Sequence, residues 1–213
     1  MDIHLANVLP FPLASIEHGK ESIWGNDATL HSGKKILLNA SSGKGKSTFA
    51  STIFGIRNDY SGTITYNEKD IREFTVDEWV KIRQNHLSAV FQDLQLFKNL
   101  TVAENLQLKN QLTNFKTESE IKQLLSELEI EHKWDEVCGL LSMGQQQRVA
   151  IVRSLCQPFE WLIMDEPFSH LDEQNSLRCL KIIDQEANKQ NAGFVITSLD
   201  DDSRFAYDYE LKL

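Results

Sequence analysis

The stretch KKILLNASSGKGKST, residues 34–48, constrains the fold more than any other part of the chain. A short apolar run passes into a loop of small residues, and the loop passes into Gly-Lys-Ser-Thr. That order describes a buried strand, a tight glycine turn and the start of a helix. Such a loop turns successive backbone N–H groups and the positive end of a helix toward one point, which cradles phosphate. Ser41, Ser42, Gly43, Lys44 and Gly45 form the expected cradle. Lys46 is expected to reach the β- and γ-phosphates, Ser47 to hold Mg²⁺, and Thr48 to line the same helix start. The full pattern has a glycine five residues before Gly45, where this chain has Ala40. A methyl group fits there if φ stays below zero.

Short apolar runs recur along the chain with helical stretches between them. IHLANV (3–8), KKILLN (34–39), GTITYN (62–67) and HLSAVF (86–91) read as strands. EWLIM (160–164) and GFVIT (193–197) are near-continuous apolar runs, the kind buried on both faces of a parallel sheet. Helices are expected from Lys46, over 76–85, 101–112, 118–129, 145–156 and 173–190. In the fourth of these, Ile121, Leu124, Leu125 and Leu128 share one face. Strands alternating with helices imply an α/β sandwich with a mostly parallel sheet. Between Gln92 and Ser142 the strand signal disappears, so a helical subdomain is expected there. YDYELKL holds the last expected strand, with no C-terminal regulatory domain expected after it.

Charge narrows the partners. A net charge of −9 argues against nucleic acid, whose backbone needs a cationic face. No apolar run reaches the length of a membrane span, and MDIHLANVLPFPLAS lacks a basic n-region with an uninterrupted apolar stretch, so the chain is expected to stay where it is made. Cys138, Cys156 and Cys179 are odd in number and widely spaced, which suits reduced packing residues in a cytosolic protein.

A phosphate loop needs a second strand ending in a carboxylate. WLIMDEP supplies Asp165, expected in the magnesium shell, and Glu166, placed to orient or deprotonate an attacking water.

LSMGQQQRVAIVRSL (141–155) is more specific. It resembles the LSGGQ signature of ATP-binding cassette (ABC) ATPases, with Met143 at the third position. FQD (91–93) is similar to the family's Q-loop, SHLD (169–172) to its D-loop, and FKNLTVAENL (97–106) to the segment opening its helical subdomain. The resemblance implies one domain over 1–213. Its parts are a P-loop NTPase, RecA-like core (about 1–92 and 157–213) with an N-terminal antiparallel β region, and a helical subdomain (about 93–156). It also implies ATP and Mg²⁺ as cofactors. Gln92 would stand at the γ-phosphate and the metal, and Asp172 in the D-loop. Two cassettes would pair head to tail, so that Ser142, Gly144 and Gln145 of one close over the ATP of the other. Adenine is usually stacked on an aromatic residue in this family; Phe11 is the nearest candidate, and a core or hinge role between Pro10 and Pro12 is open beside it.

The family's switch histidine is not found. After GFVIT its place is held by Ser198, or by Leu199 if the alignment is fixed on Asp200. His170 reads as an exposed loop residue. The resemblance implies an ATPase subunit peripheral at the inner face of the cell membrane, driving a separate permease, with hydrolysis that is slow or partner-dependent. A nucleotide switch with weak hydrolysis, and a soluble non-transport ABC protein, stand as alternatives.

Overall fold

A computed structural model describes residues 1–199 and 204–213. Its centre is a five-stranded, wholly parallel sheet. The strands are β3 (Lys35–Asn39), β6 (Leu87–Val90), β7 (Trp161–Asp165), β8 (Gly193–Ser198) and β9 (Tyr209–Lys212), in the order β6-β7-β8-β3-β9. An antiparallel sheet is made of β1 (Ile3–Pro10), β2 (Ala28–Leu30), β4 (Tyr60–Tyr66) and β5 (Lys69–Asp70), in the order β2-β1-β4-β5. The fold is therefore α/β, with a parallel P-loop core and an antiparallel β region.

Side-chain alternation along β7 separates two cores. Trp161 and Ile163 face Phe49 and Ile53 of α1 (Lys46–Ile53) and the antiparallel sheet. Leu162 and Met164 face α5 (Met143–Ser154) and α6 (Glu173–Gln190). Those four strand residues are all fully buried. Truncating a side chain of that size in such a core costs about 2–5 kcal/mol.

Four helices open on a side-chain device written in the sequence. In α2 (Val76–Asn85), α3 (Val102–Asn110), α4 (Glu118–Glu127) and α5, a Ser or Thr caps the N3 amide while the N3 Glu or Gln reaches back. The pairs are Thr75/Glu78, Thr101/Glu104, Thr117/Glu120 and Ser142/Gln145.

Several sequence boundaries need correction. α5 starts at Met143 rather than Gln145, because Ser142 caps it there. α3 ends at Asn110 and α4 at Glu127, short of the expected Leu112 and Glu129. Glu129 takes a left-handed φ of 57°, which a helix cannot continue through. β2 and β5 were not expected; three and two residues are too few to show a period.

Candidate functional site

Register brings the site together. β3 and β8 pair Asn39 with Ser198, and β7 and β8 pair Asp165 with Thr197. Three strands thus end along one edge of the sheet, with the 40–45 loop leaving β3 at that edge. Ligands of open parallel sheets bind outside such carboxyl ends.

The loop has the expected form. Gly43 and Gly45 take φ of 80° and 102°, whereas Ala40 is not among the positive-φ residues. Ala40 is buried, and its N–H donates to Ser198 O at 3.2 Å. Its methyl group therefore costs the loop nothing in backbone strain. Its φ fixes Gly45, and a Cβ there would also lie 2.4 Å from Leu13 Cδ1, so the Leu13 side chain would have to move. Behind the loop, the buried Trp24 donates from Nε1 to Lys44 O at 3.2 Å, and Lys44 Nζ donates to Glu17 O at 3.0 Å.

α1 begins at Lys46 with no side chain capping it. Lys46 is buried and donates from Nζ to Ala40 O at 2.7 Å, with Glu166 Oε1 3.3 Å away. Ser47 Oγ donates to Gln92 Oε1 at 3.4 Å. One cavity is lined by Ser42, Gly43, Gly45, Lys46, Ser47, Thr48, Gln92, Glu166 and Leu13. A neighbouring cavity is lined in part by Ser47, Gln92 and Asp165. Hydroxyl, amide and carboxylate oxygens are a hard donor set, which suits Mg²⁺. The open helix start and the Lys46 ammonium suit a nucleotide's phosphates.

Two residues that sequence reasoning missed hold the Asp165 carboxylate and the backbone of Glu166. Thr197 Oγ1 donates to Asp165 Oδ1 at 2.8 Å and accepts from Glu166 N at 3.0 Å. Gln147, buried on α5, donates from Nε2 to Glu166 O at 3.2 Å and to Ser169 Oγ at 3.2 Å. Glu166 itself sits at a left-handed φ of 48°, a conformation that persists where its surroundings hold it. No local pattern marks Thr197 or Gln147; both act through pairings distant in sequence.

The remaining candidates do not line the loop cavity. Ser142 and Gln145 form the cap of α5, with Ser142 Oγ accepting from Gln145 N at 3.3 Å and Gln145 Oε1 accepting from Ser142 N at 2.9 Å. A Cβ on Gly144 would lie 2.8 Å from His170 O, so the glycine lets α5 pack against the 169–172 loop. Asp172 caps α6, its Oδ1 accepting from Asn175 N at 2.7 Å, and this bond holds its carboxyl below the ordinary range. His170 is exposed, with Nδ1 2.9 Å from Ser169 Oγ. Phe11 is 62% exposed on the turn after β1, which removes the core reading; Leu13, not Phe11, lines the loop cavity. Ser198 ends β8 and no imidazole stands there; Asp200 lies outside the described residues. Cys138, Cys156 and Cys179 are free and fully buried, and burial pushes their thiols up, to about 11 for Cys138 and about 12 for the other two.

Fold and site define a P-loop nucleotide-binding cassette. The family model described as "ABC transporter" matches residues 25–169, more than half of the chain. The chain belongs to the ABC transporter family, as an ATP-binding cassette. It is 32% identical over 164 residues to the ABC transporter ATP-binding protein YtrE of Bacillus subtilis (strain 168), covering 76% of this chain and 71% of that protein. It is 30% identical over 186 residues to the macrolide export ATP-binding/permease protein MacB of Campylobacter jejuni (strain 81-176), covering 85% of this chain but 29% of MacB. Among solved structures, the dimeric bacterial ABC transporter cassette MJ0796 superposes with a TM-score of 0.80 at 25% identity, covering 99% of this chain and 94% of that one. No helix among the described residues is long and apolar enough to cross a membrane.

Proposed function

We propose that this chain binds Mg-ATP in the 40–48 loop, pairs head to tail with a second cassette, and hydrolyses ATP to drive a separate membrane permease. The observation that supports this most is the convergence of Lys46, Ser47, Gln92 and Glu166 on one cavity at the open start of α1, beside Asp165. Lys46 binds the terminal phosphates, and the free N–H groups of α1 orient them. Ser47, Gln92 and Asp165 would hold Mg²⁺, which when bound neutralises charge on the phosphate oxygens. Glu166 accepts the proton of the attacking water as its oxygen bonds to the terminal phosphorus, and the bond to the bridging oxygen of ADP breaks. Thr197 and Gln147 keep Glu166 in place.

Ser142, Gly144 and Gln145 would face the ATP of the partner cassette, and Asp172 would stand beside that interface. The core comprises about 1–92 and 157–213, and the helical subdomain about 93–156. Phe97, Leu108 and Leu112, all exposed on that subdomain, offer the permease an apolar seat. Phe11, exposed on the turn after β1, is the candidate adenine platform. The cassette would lie at the inner face of the cell membrane through its permease, without direct nucleic-acid contact. Because Ser198 or Leu199 stands where the family has an imidazole, turnover is slow or partner-dependent.

The deciding measurement is Mg-ATP hydrolysis by the purified chain over a range of protein concentrations, with Glu166→Gln as control. Turnover that rises more steeply than concentration and vanishes in the control supports composite sites at a dimer. ATP binding and dimerisation without turnover would instead support a nucleotide switch, the reading that Ser198 favours.

A further inference from the structure

The turn that follows Gln92 is strained and clamped. Leu94 and Gln95 take φ of 59° and 48°, two successive non-glycine residues in the left-handed region. Such a conformation persists only where its surroundings over-determine it. Leu94 is buried, and short-range bonds close the turn: Leu94 N donates to Phe91 O at 2.9 Å and Gln95 N to Asp93 O at 2.7 Å. Beside the packing of Leu94 in the core, a further hold comes from the last turn of α5. Arg153 donates from one guanidinium nitrogen to Leu94 O and from the other to Gln95 O, each at 2.6 Å.

A planar fork presents two donors in fixed geometry to two consecutive carbonyls, whereas an ammonium is a point charge on a flexible stem with no such preset spacing. These bonds go to carbonyls rather than to a carboxylate, so the guanidinium is drawn partly out of water without a neutralising partner in the bond. Burial accordingly pulls its pKa down. Two residues before Leu94, Gln92 receives the hydrogen bond of Ser47. Toward the other end of α5, about 14–17 Å away at the helical rise per residue, stand Gly144 and Ser142.

We propose that Arg153 is a positioning residue: its fork holds the 92–95 turn so that the Gln92 amide stays at Ser47, and it ties that turn to the helix that begins at Ser142. This rests on the reading of the site as one that binds and hydrolyses ATP. Arg153 touches no phosphate; it acts through Gln92 and thereby favours a nucleotide that has a terminal phosphate.

The test compares the wild-type chain with Arg153→Met and Arg153→Lys. Hydrogen exchange of peptides over 91–97 is followed without nucleotide, ATP and ADP affinities are measured, and turnover is recorded. Arg153→Met should raise exchange over 91–97 about tenfold, with peptides from α3 and the middle of α5 unchanged. ADP affinity should stay within twofold, ATP affinity should fall about fivefold, and turnover should fall about tenfold. Arg153→Lys should recover part of each, since an ammonium keeps the charge and donors but lacks the planar fork's fixed spacing. Unchanged exchange over 91–97 overturns the clamp. Faster exchange with wild-type ATP preference and turnover overturns the positioning role. If the wild type binds ATP without turning it over, the hydrolysis reading fails, and the exchange and the ATP-to-ADP preference still decide the role of Arg153. Should Arg153→Met not fold, Arg153→Lys against wild type decides by the same readouts.

Discussion

Helices α1 and α5 both begin on glycine-containing stretches after an apolar residue, yet their first turns are built in opposite ways. α1 starts from Gly45 with no side chain on its free N–H groups, whereas α5 starts from Ser142 inside a reciprocal cap with Gln145. A helix start leaves four backbone donors without intrahelical partners. In α1 those donors remain open to an anion beside the Lys46 ammonium. In α5 the chain's own hydroxyl already serves one of them. Glycine near a helix start thus has two meanings here: Gly45 opens the cradle, while Gly144 lets α5 pack against His170 O. An ATP phosphate reaching α5 finds the Gln145 N–H already taken and fewer open donors than at α1.

Lys46→Ala sharpens this contrast most. A charge-assisted contact contributes about 1.5–3 kcal/mol, so losing the ammonium should weaken ATP binding by up to about 100-fold. Titration calorimetry on the variant, with circular dichroism to verify folding, measures it. ATP affinity within threefold of wild type would mean that the start of α1 is not where phosphate binds.

Next in size is Ser198→His, which asks whether the weak wall of the site is the end of β8 rather than either helix. Deleting one preorganised donor costs about 10²-fold or more in known sites. Restoring one on a backbone not adjusted to it should raise turnover about tenfold, with ATP affinity unchanged. Steady-state hydrolysis at saturating ATP gives the answer; no gain would place the limiting defect elsewhere.

These comparisons also mark how far the sequence could be read. β7 and β8 were legible because short, near-continuous apolar runs such as WLIM and GFVI have few places to go except the middle of a parallel sheet. α2 and α6 were legible to the residue, since Thr75 and Asp172 cap them where the polar-to-helical pattern changes. The start of α5 was missed because its first turn, Met143 to Gln146, shows no apolar period, although S-x-x-Q spells a cap. Thr197 was out of reach: its bonds to Asp165 and Glu166 exist only through the β7–β8 register, 32 and 31 residues away in sequence. The same holds for Arg153, whose carbonyl partners lie 58 and 59 residues back.

Ser142→Ala tests the capped helix directly. Removing a Ser cap costs about 1 kcal/mol, which for a chain of this size lowers the thermal midpoint by roughly 2–4 °C. Ser142→Thr should restore most of it. ATP affinity of the isolated cassette should be unchanged in both, because α5 does not line the loop cavity. A wild-type midpoint in Ser142→Ala would mean that the hydroxyl is not acting as a cap.

The smallest effect is expected at α6, the one helix of the three that is capped by a titratable group. Asp172 accepts from Asn175 N, and its carboxyl is held below the ordinary value of about 4. Its contribution is therefore fully present above that ordinary value and is lost as pH falls through the lowered folded pKa, when the proton takes the lone pair the amide needs. Asn caps as well as Asp but does not titrate. Asp172→Asn should match the wild type in thermal midpoint near neutral pH and lose less of it on acidification below about 4, while α1 and α5, capped by nothing titratable, add no acid dependence of this kind. The measurement is the difference between the two chains' midpoints at neutral and acid pH. Equal acid losses would show that the Asp172 cap survives protonation, and that the charge on its carboxylate does not secure the start of α6.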